Sequence, residues 1–240
     1  MKSSANKINE APSCDECDCS EQSIFCALNK SELNSLSQSK SYISYAKGQM
    51  IFYEGNHPQG LYCIYSGKVK IHKIGHDGKD QILRLAKRGN IIGYRSLLSS
   101  DTYHASATAI EDSLICFFPK SVYQAQIIAN PILAMQMIKL LSLDLKSAEQ
   151  KAVNMVQKLV RERIAETILM LKEFFGLEQD QQTINTPLTR ESIGNIAGTT
   201  TETAIRVLSE LQKNKIVNLI GKKIKIVNNA ELIRIANLSE

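Results

Sequence analysis

Four of the six cysteines, Cys14, Cys17, Cys19 and Cys26, fall in one short polar leader. Thiolates at such spacing can converge on a zinc ion or on an iron–sulfur cluster, since sulfur is a preferred donor for both. A local zinc site would use these four alone, a redox-active dithiol would use a pair, and a frayed tail would hold no metal. In a reducing compartment such cysteines are thiols or metal ligands rather than disulfides. Asp15, Glu16 and Asp18 add negative charge that would favour the oxidised form of a cluster or simply solubilise the leader, and Phe25 and Leu28, beside Cys26, would partly shield a cluster.

A second set with chemistry in it lies near the other end, in LTRESIGNIAGTTTETAIRVLSELQKN, Leu188 to Asn214. Arg206 offers a rigid fork that matches the O6 and N7 acceptors of guanine. Glu202, one turn earlier on the same face, can accept from a cytosine amino group, so one G·C pair could occupy both. Two caps compete for this helix start. Thr199 with Glu202 would form a capping box that consumes the acid. Thr200 as the cap leaves Glu202 for DNA, and this reading is adopted because Arg206 shares the face and a wing follows.

These side chains need a scaffold, and the spacing supplies one. Ile193, Ile196 and Ala197 form the inner face of a first short helix, and Ala204, Val207, Leu208 and Leu211 that of a second. Gly198 between them permits a steep crossing, with Gly194 and Ala204 as the small residues where the helices touch. After them IVNLI and KIKIV flank Gly221-Lys222-Lys223, a hairpin with a cationic tip. Lys213, Lys215, Lys222, Lys223 and Lys225 occur here with no acid between them, and beside a recognition helix they would lie along phosphates. In this scheme Arg190, Thr200, Thr203, Lys222 and Lys223 contact phosphate, and Asn229 caps a last helix through Leu238.

Upstream, from Ala46 to about Phe118, short runs such as MIFYEG, LYCIYSG, KVKIHKIG and QILRLA alternate with glycine turns, which argues a β-barrel or jelly roll. Cys63 and Cys116 each sit in such a run, where a lone cysteine reads as core. His72, His76 and His104 have no paired ligand spacing and read as surface or loop residues. A helix from Ser31 precedes the roll and another, Lys120 to Ile128, follows it. Pro131 then starts a long helix on which Ile138, Leu141, Leu145, Ala148, Ala152, Met155 and Leu159 recur at three- and four-residue steps. A helix packed on its own roll is the alternative, but the seam is long for one roll to cover and a single winged helix reads too few base pairs for useful specificity, which argues a homodimer.

At 240 residues, 43% hydrophobic, the chain can bury a sizeable core and is expected to divide. The divisions expected are a cysteine-rich leader at 1–30, a β-roll sensor at 31–129, a dimerisation helix at 130–154 and a winged helix-turn-helix at 155–240. The fold class is α+β. A net charge of +5 permits nucleic-acid binding without requiring it. No apolar run is long enough for a membrane span and no signal core opens the chain, so a cytoplasmic location without membrane contact is expected. No convergent nucleophile, acid–base set, Gly-rich phosphate loop or His pair argues for an enzyme.

TRESIGNIAGTTTETAIRVLSELQKNKIV resembles the winged helix-turn-helix signature of the Crp/Fnr transcription regulators, and the order of elements before it agrees over nearly the whole chain. The resemblance implies Thr201, Glu202, Ile205 and Arg206 as base-facing residues on palindromic double-stranded DNA, with RNA polymerase a candidate partner. Where Ile205 stands, the Fnr branch usually has a serine; an aliphatic there can touch a thymine methyl but cannot hydrogen bond. That branch also places a destabilising Asp on its dimer seam, which this seam lacks.

The segment IEDSLICFFP resembles the Fnr segment that carries the fourth ligand of an oxygen-responsive [4Fe–4S] cluster, which implies Cys116 as that ligand. Counting back from Cys26, Cys17 stands at the family's ligand distance, Cys19 is one residue out of register, and Cys14 resembles an extra upstream cysteine. The implied set is Cys17, Cys19, Cys26 and Cys116, with Cys14 as the alternative. The roll resembles a cyclic-nucleotide-binding domain, yet Tyr94 replaces the acid for the ribose and His104 the arginine for the phosphate. Arg95 could substitute only with a rearranged loop, so cyclic AMP is not expected. The other readings are a metal-free regulator gated by a different small molecule in the roll, or a zinc or thiol redox switch.

Overall fold

The computed structural model describes Ser13, Cys14, Cys17, residues 23–75, Gly78 and residues 80–237. Cys19, Asp15, Glu16, Asp18, His76 and Leu238 lie outside the described residues. The chain forms two compact units, 1–73 with 84–144 and 74–83 with 145–240.

In the first unit a 3-10 turn (Ile24–Ala27) leads into α1 (Lys30–Ser39), which Asn29 and Glu32 close with a capping box. Eight strands follow: β1 (Ser41–Tyr45), β2 (Met50–Phe52), β3 (Gly60–Ser66), β4 (Lys68–Ile74), β5 (Asp80–Lys87), β6 (Ile91–Ile92), β7 (Ser106–Ala109) and β8 (Ser113–Pro119), with the short helix α2 (Tyr94–Ser99) after β6. They make two four-stranded sheets, ordered β1-β8-β3-β6 and β2-β7-β4-β5. The helices α3 (Lys120–Ala129) and α4 (Pro131–Gln157) come next.

Strand parity explains how one sheet serves two cores. Ile64 and Ile115 join Val69, Ile92, Ala107 and Ala109 between the sheets. The alternate residues Leu61, Cys63, Cys116 and Phe118 face the opposite way, into a cluster with Phe25, Leu28, Leu36, Tyr123, Leu133 and Met137. β3 and β8 are thus packed on both faces, and the second face is where Cys14, the 3-10 turn and the helices α1, α3 and α4 pack. Burial corrects the reading of His72, which is not a surface residue. On the face of β4 opposite Val69 and Ile71 it is only 3% exposed, and it shares a 2.8 Å hydrogen bond with Thr108 Oγ1 on β7.

In the second unit α5 (Val160–Phe175), α6 (Arg190–Ala197) and α7 (Thr201–Lys213) precede the hairpin of β9 (Val217–Ile220) and β10 (Lys223–Ile226), and α8 (Asn229–Ala236) follows. Its core holds Ile164, Ile168, Leu171, Ile193, Ala204, Leu208, Leu211, Ile224 and Leu232, all fully buried. The cap of α8 is Asn228, whose side chain accepts from Glu231 N, rather than Asn229. Among the described residues no single helix is long and apolar enough to cross a membrane.

Candidate nucleic-acid interface and thiol cavity

Gly198 ends α6 in the left-handed region, at φ 66°, and the chain turns at once into α7. Thr199 N donates to Gly194 O at 2.9 Å to close the turn. A Cβ on Gly194 would lie 3.3 Å from Ala204 Cβ, closer than ordinary contact, so glycine is what allows the helices to touch there. Thr200, not Thr199, caps α7: its Oγ1 accepts from Thr203 N at 3.2 Å. Position N3 of the helix is therefore Thr203, and the capping box through Glu202 does not form.

With Ala204, Val207, Leu208 and Leu211 buried, the opposite face of α7 turns outward. Glu202, Ile205 and Arg206 are exposed and Thr201 and Thr203 half-buried. Arg206 Nη1 lies 3.2 Å from Glu210 Oε1, one turn on rather than one turn back. The pairing holds the guanidinium along the helix, and at this exposure it is weak enough for a base edge to displace.

The wing is braced and partly neutralised by groups that its own sequence does not contain. Arg190 donates to the carbonyls of Gly221, Lys222 and Lys223 at 3.1–3.3 Å, so this residue, expected at a phosphate, ties α6 to the hairpin tip. Burial lowers its pKa. Residues 182–184 run along β10, with Ile184 N on Ile224 O and Ile226 N on Gln182 O, both 2.9 Å. They bring Glu178 to 2.7 Å from Lys223 Nζ and Asp180 to 3.4 Å from Lys225 Nζ. The cationic run free of acids along the sequence thus meets two acids in space, while Lys222 stands exposed at the tip.

Arg163 escaped the sequence reading. From the first turn of α5 it donates to Ala197 O at 2.9 Å and Gly198 O at 3.4 Å in the helix-turn-helix, and to Met155 O at 3.3 Å and Lys158 O at 2.8 Å at the end of α4. One guanidinium therefore fixes the α4–α5 break to the turn that aims α7. An arginine at an ordinary helical position gave no signal for this.

The proposed dimer seam forms one outward stripe of α4: Ile138, Leu141, Leu145, Ala148 and Ala152 are exposed and Met155 half-buried. Leu145 is 60% exposed, and Met135 and Val156 extend the stripe. Asp144, next to Leu145 on α4, turns away from the stripe into the roll. Its carboxylate receives Arg95 Nη2 at 2.8 Å, Arg84 Nη1 at 3.2 Å and the Tyr94 hydroxyl. Tyr94 is fully buried, and its hydroxyl in turn accepts from Arg84 Nη1 at 2.9 Å. Burial raises the phenol's pKa despite the Arg84 charge. Burial also works against the Asp144 carboxylate, but the hydrogen bonds from Tyr94 and Arg95 with the two guanidinium charges prevail and hold it below the usual range. A protein carboxylate thus already occupies both guanidiniums beside the position of the ribose acid. His104 is exposed, 3.4 Å from Asp101.

Of the cysteines expected to bind metal, Cys14, Cys17 and Cys116 line one cavity, and Cys63 lines it with them. Cys14 Sγ takes a 3.0 Å hydrogen bond from Lys40 Nζ. Burial pushes the Cys116 thiol up to about 11, against the pull of Lys40. Lys40 and Arg88 bring positive charge to the wall, Phe25 and Phe118 pack beside it as a tilted pair with ring centroids 5.2 Å apart, and among the described residues no carboxylate lines it. Cys26 is exposed and outside this lining, while its neighbour Phe25 is buried and lines the cavity and Leu28 is buried in the same core. Among the described residues no three donors converge on a single-ion site. The thiols on the lining are the kind of donor that an iron–sulfur group takes.

A double-sheet roll, a long helix with an apolar outer stripe and a winged helix-turn-helix together define a DNA-binding transcription regulator. The chain belongs to the Crp/Fnr family of such regulators. Residues 42–130 match the cyclic nucleotide-binding domain and residues 162–235 the Crp-like helix-turn-helix domain. The fumarate and nitrate reduction regulatory protein of Vibrio cholerae is 32% identical over 95% of this chain and 91% of its own. Its Escherichia coli namesake is 32% identical over 93% and 90%. In fold, FixK2 from Bradyrhizobium japonicum superposes with a TM-score of 0.72 at 24% identity, over 84% of this chain and 99% of that one. The Thermus thermophilus catabolite activator protein gives 0.51 at 29% identity, over 89% and 97%. The relatives are regulators, not enzymes.

Proposed function

We propose that the chain is a cytoplasmic, homodimeric regulator that reads a palindromic operator and senses oxygen or redox state through a [4Fe–4S] cluster. The observation that carries the sensing half is the cavity shared by Cys14, Cys17, Cys63 and Cys116 under Lys40 and Arg88. Cys17 and Cys116 would hold the cluster with further leader thiols, and two cations on the wall offset the negative charge that thiolate ligation brings. When bound, the cluster supplies an oxygen-labile redox centre. The names of the relatives point the same way.

On the DNA side, Arg206 and Glu202 read base edges with Thr201 and Ile205 beside them, while Thr200, Thr203 and Lys222 position the helix on phosphates. Arg190 and Lys223 act mainly in shaping the wing. Two copies joined along the α4 stripe would present two such helices to half-sites one helical turn apart, about 34 Å. The test is purification without air, assays for iron and acid-labile sulfide, and operator titration before and after air. Bound iron and an affinity that falls in air are expected. An affinity indifferent to air, responding only to a small molecule, overturns the sensing half.

A further inference from the structure

Cys63 has no ligand role above, and neighbouring strands on both sides fix its position in the sheet. It pairs directly with Cys116 across the antiparallel β3–β8 ladder, between Tyr62↔Phe117 and Ile64↔Ile115. Directly opposed residues in such a ladder share a face, and their Cα atoms stand about 4.5 or 5.5 Å apart according to the hydrogen-bonding phase. Both separations fall inside the roughly 4.4–6.8 Å span that a disulfide bridges. Both side chains line the same cavity, and both are present as thiols. They differ in access: Cys63 is half-buried, and Cys116 is 5% exposed.

We propose that Cys63 and Cys116 are a dithiol switch that closes to a disulfide when the cluster-free chain meets a peroxide. Cys63, the more accessible sulfur, attacks the peroxide O–O bond and becomes a sulfenic acid as one oxygen leaves as water or alcohol. The Cys116 sulfur then displaces the sulfenic oxygen as water, forming the S–S bond. Two thiols lose two protons and two electrons, and one peroxide is reduced. Cys14 and Cys17 also reach the cavity, but they lie on a leader outside any strand, whereas hydrogen-bonded backbone on both sides holds Cys63 against Cys116. The bond would take Cys116 out of use as a metal ligand until a reductant reopens it. The pairing itself requires no iron.

Tryptic cleavage separates the participants cleanly. Cys63 lies in peptide 48–68, Cys116 in 96–120, and the four leader cysteines in 8–30. The full-length chain, purified without air and stripped of iron with a chelator, is treated with hydrogen peroxide, alkylated, digested and mapped by mass spectrometry. A dithiothreitol-reversible link between 48–68 and 96–120 is expected as the main product on Cys116. In Cys63→Ser, whose circular dichroism confirms folding, Cys116 should remain open to alkylation after denaturation. Linkage of 96–120 to 8–30 in the wild type, or full alkylation of both Cys63 and Cys116 after excess peroxide, overturns the proposal. Neither result depends on whether the chain binds iron, which the iron and sulfide assays decide separately.

Discussion

Arg95 Nη2 lies 2.8 Å from Asp144 Oδ2, and so pins the first half of α4 to α2 through a carboxylate that Arg84 and Tyr94 also share. Asp144→Ala removes the acid common to two guanidiniums. With Arg95 half-exposed and Arg84 less so, screening limits the loss to about 1–2 kcal/mol. Since the folded pKa of Asp144 is lowered, its contribution is present above the ordinary carboxyl value of 3.8 and is lost as pH falls through the depressed one. Urea unfolding of both proteins should show a stability gap at neutral pH that narrows only in strong acid. A constant gap across that range would assign the loss to packing instead of charge.

Gly198 sits at φ 66°, and a Cβ there would also meet the end of the Met155 side chain. The methionine can swing aside, so the backbone conformation sets the cost of Gly198→Ala, about 1–2 kcal/mol. Thermal unfolding should move down accordingly. A greater loss in operator affinity than in stability would show that the turn also sets the aim of α7.

Arg163→Ala leaves four carbonyls at the α4–α5 break and the helix-turn-helix without their donor. Charged hydrogen bonds of this kind contribute about 1.5–3 kcal/mol, and water can reach some of the released groups, so a loss of about 2 kcal/mol is expected. Hydrogen exchange should rise first at Ala197 to Thr200. Uniform exchange across the chain would refute a local bracing role.

Leu145→Glu places a carboxylate on the exposed stripe of α4, where a twofold partner would present its own nearby. Desolvation and like-charge repulsion should weaken self-association by at least about tenfold, a cost of roughly 1.4 kcal/mol. Sedimentation velocity reads the change directly. Val153→Glu, off the stripe yet also exposed, is the control that should leave association intact.

The parts legible in the sequence are those written as a period. Ala204, Val207, Leu208 and Leu211 announced the inner face of α7 because 3.6-residue spacing is visible in one dimension, and the glycine at 198 marked the turn. Alternation revealed most strands of the roll. What stayed hidden are pairings between distant positions that follow no period. Asp144 meets Arg84 sixty residues away, and Glu178 meets Lys223 forty-five away. Strand parity could have shown that Cys63 and Cys116 point out of the inter-sheet core, since Leu61 and Phe118 flank them at two-residue spacing. Their being neighbours needed the β3–β8 register, which no local pattern encodes.

Arg206 and Lys222 separate reading from positioning most sharply. Arg206 is exposed on the outer face of α7 and, among the described residues, is held by Glu210, so its truncation costs the free protein little. On the operator, Arg206→Ala should lose about 1–3 kcal/mol and relax discrimination at one base pair in each half-site. Lys222→Ala at the wing tip should weaken every duplex to a similar degree and flatten the salt dependence by about one ion per subunit. Fluorescence anisotropy against the operator and its single-pair variants, at several salt concentrations, distinguishes the two. If Arg206→Ala weakened all sequences equally, the residue would be a phosphate contact, and base reading would pass to Glu202 and Ile205.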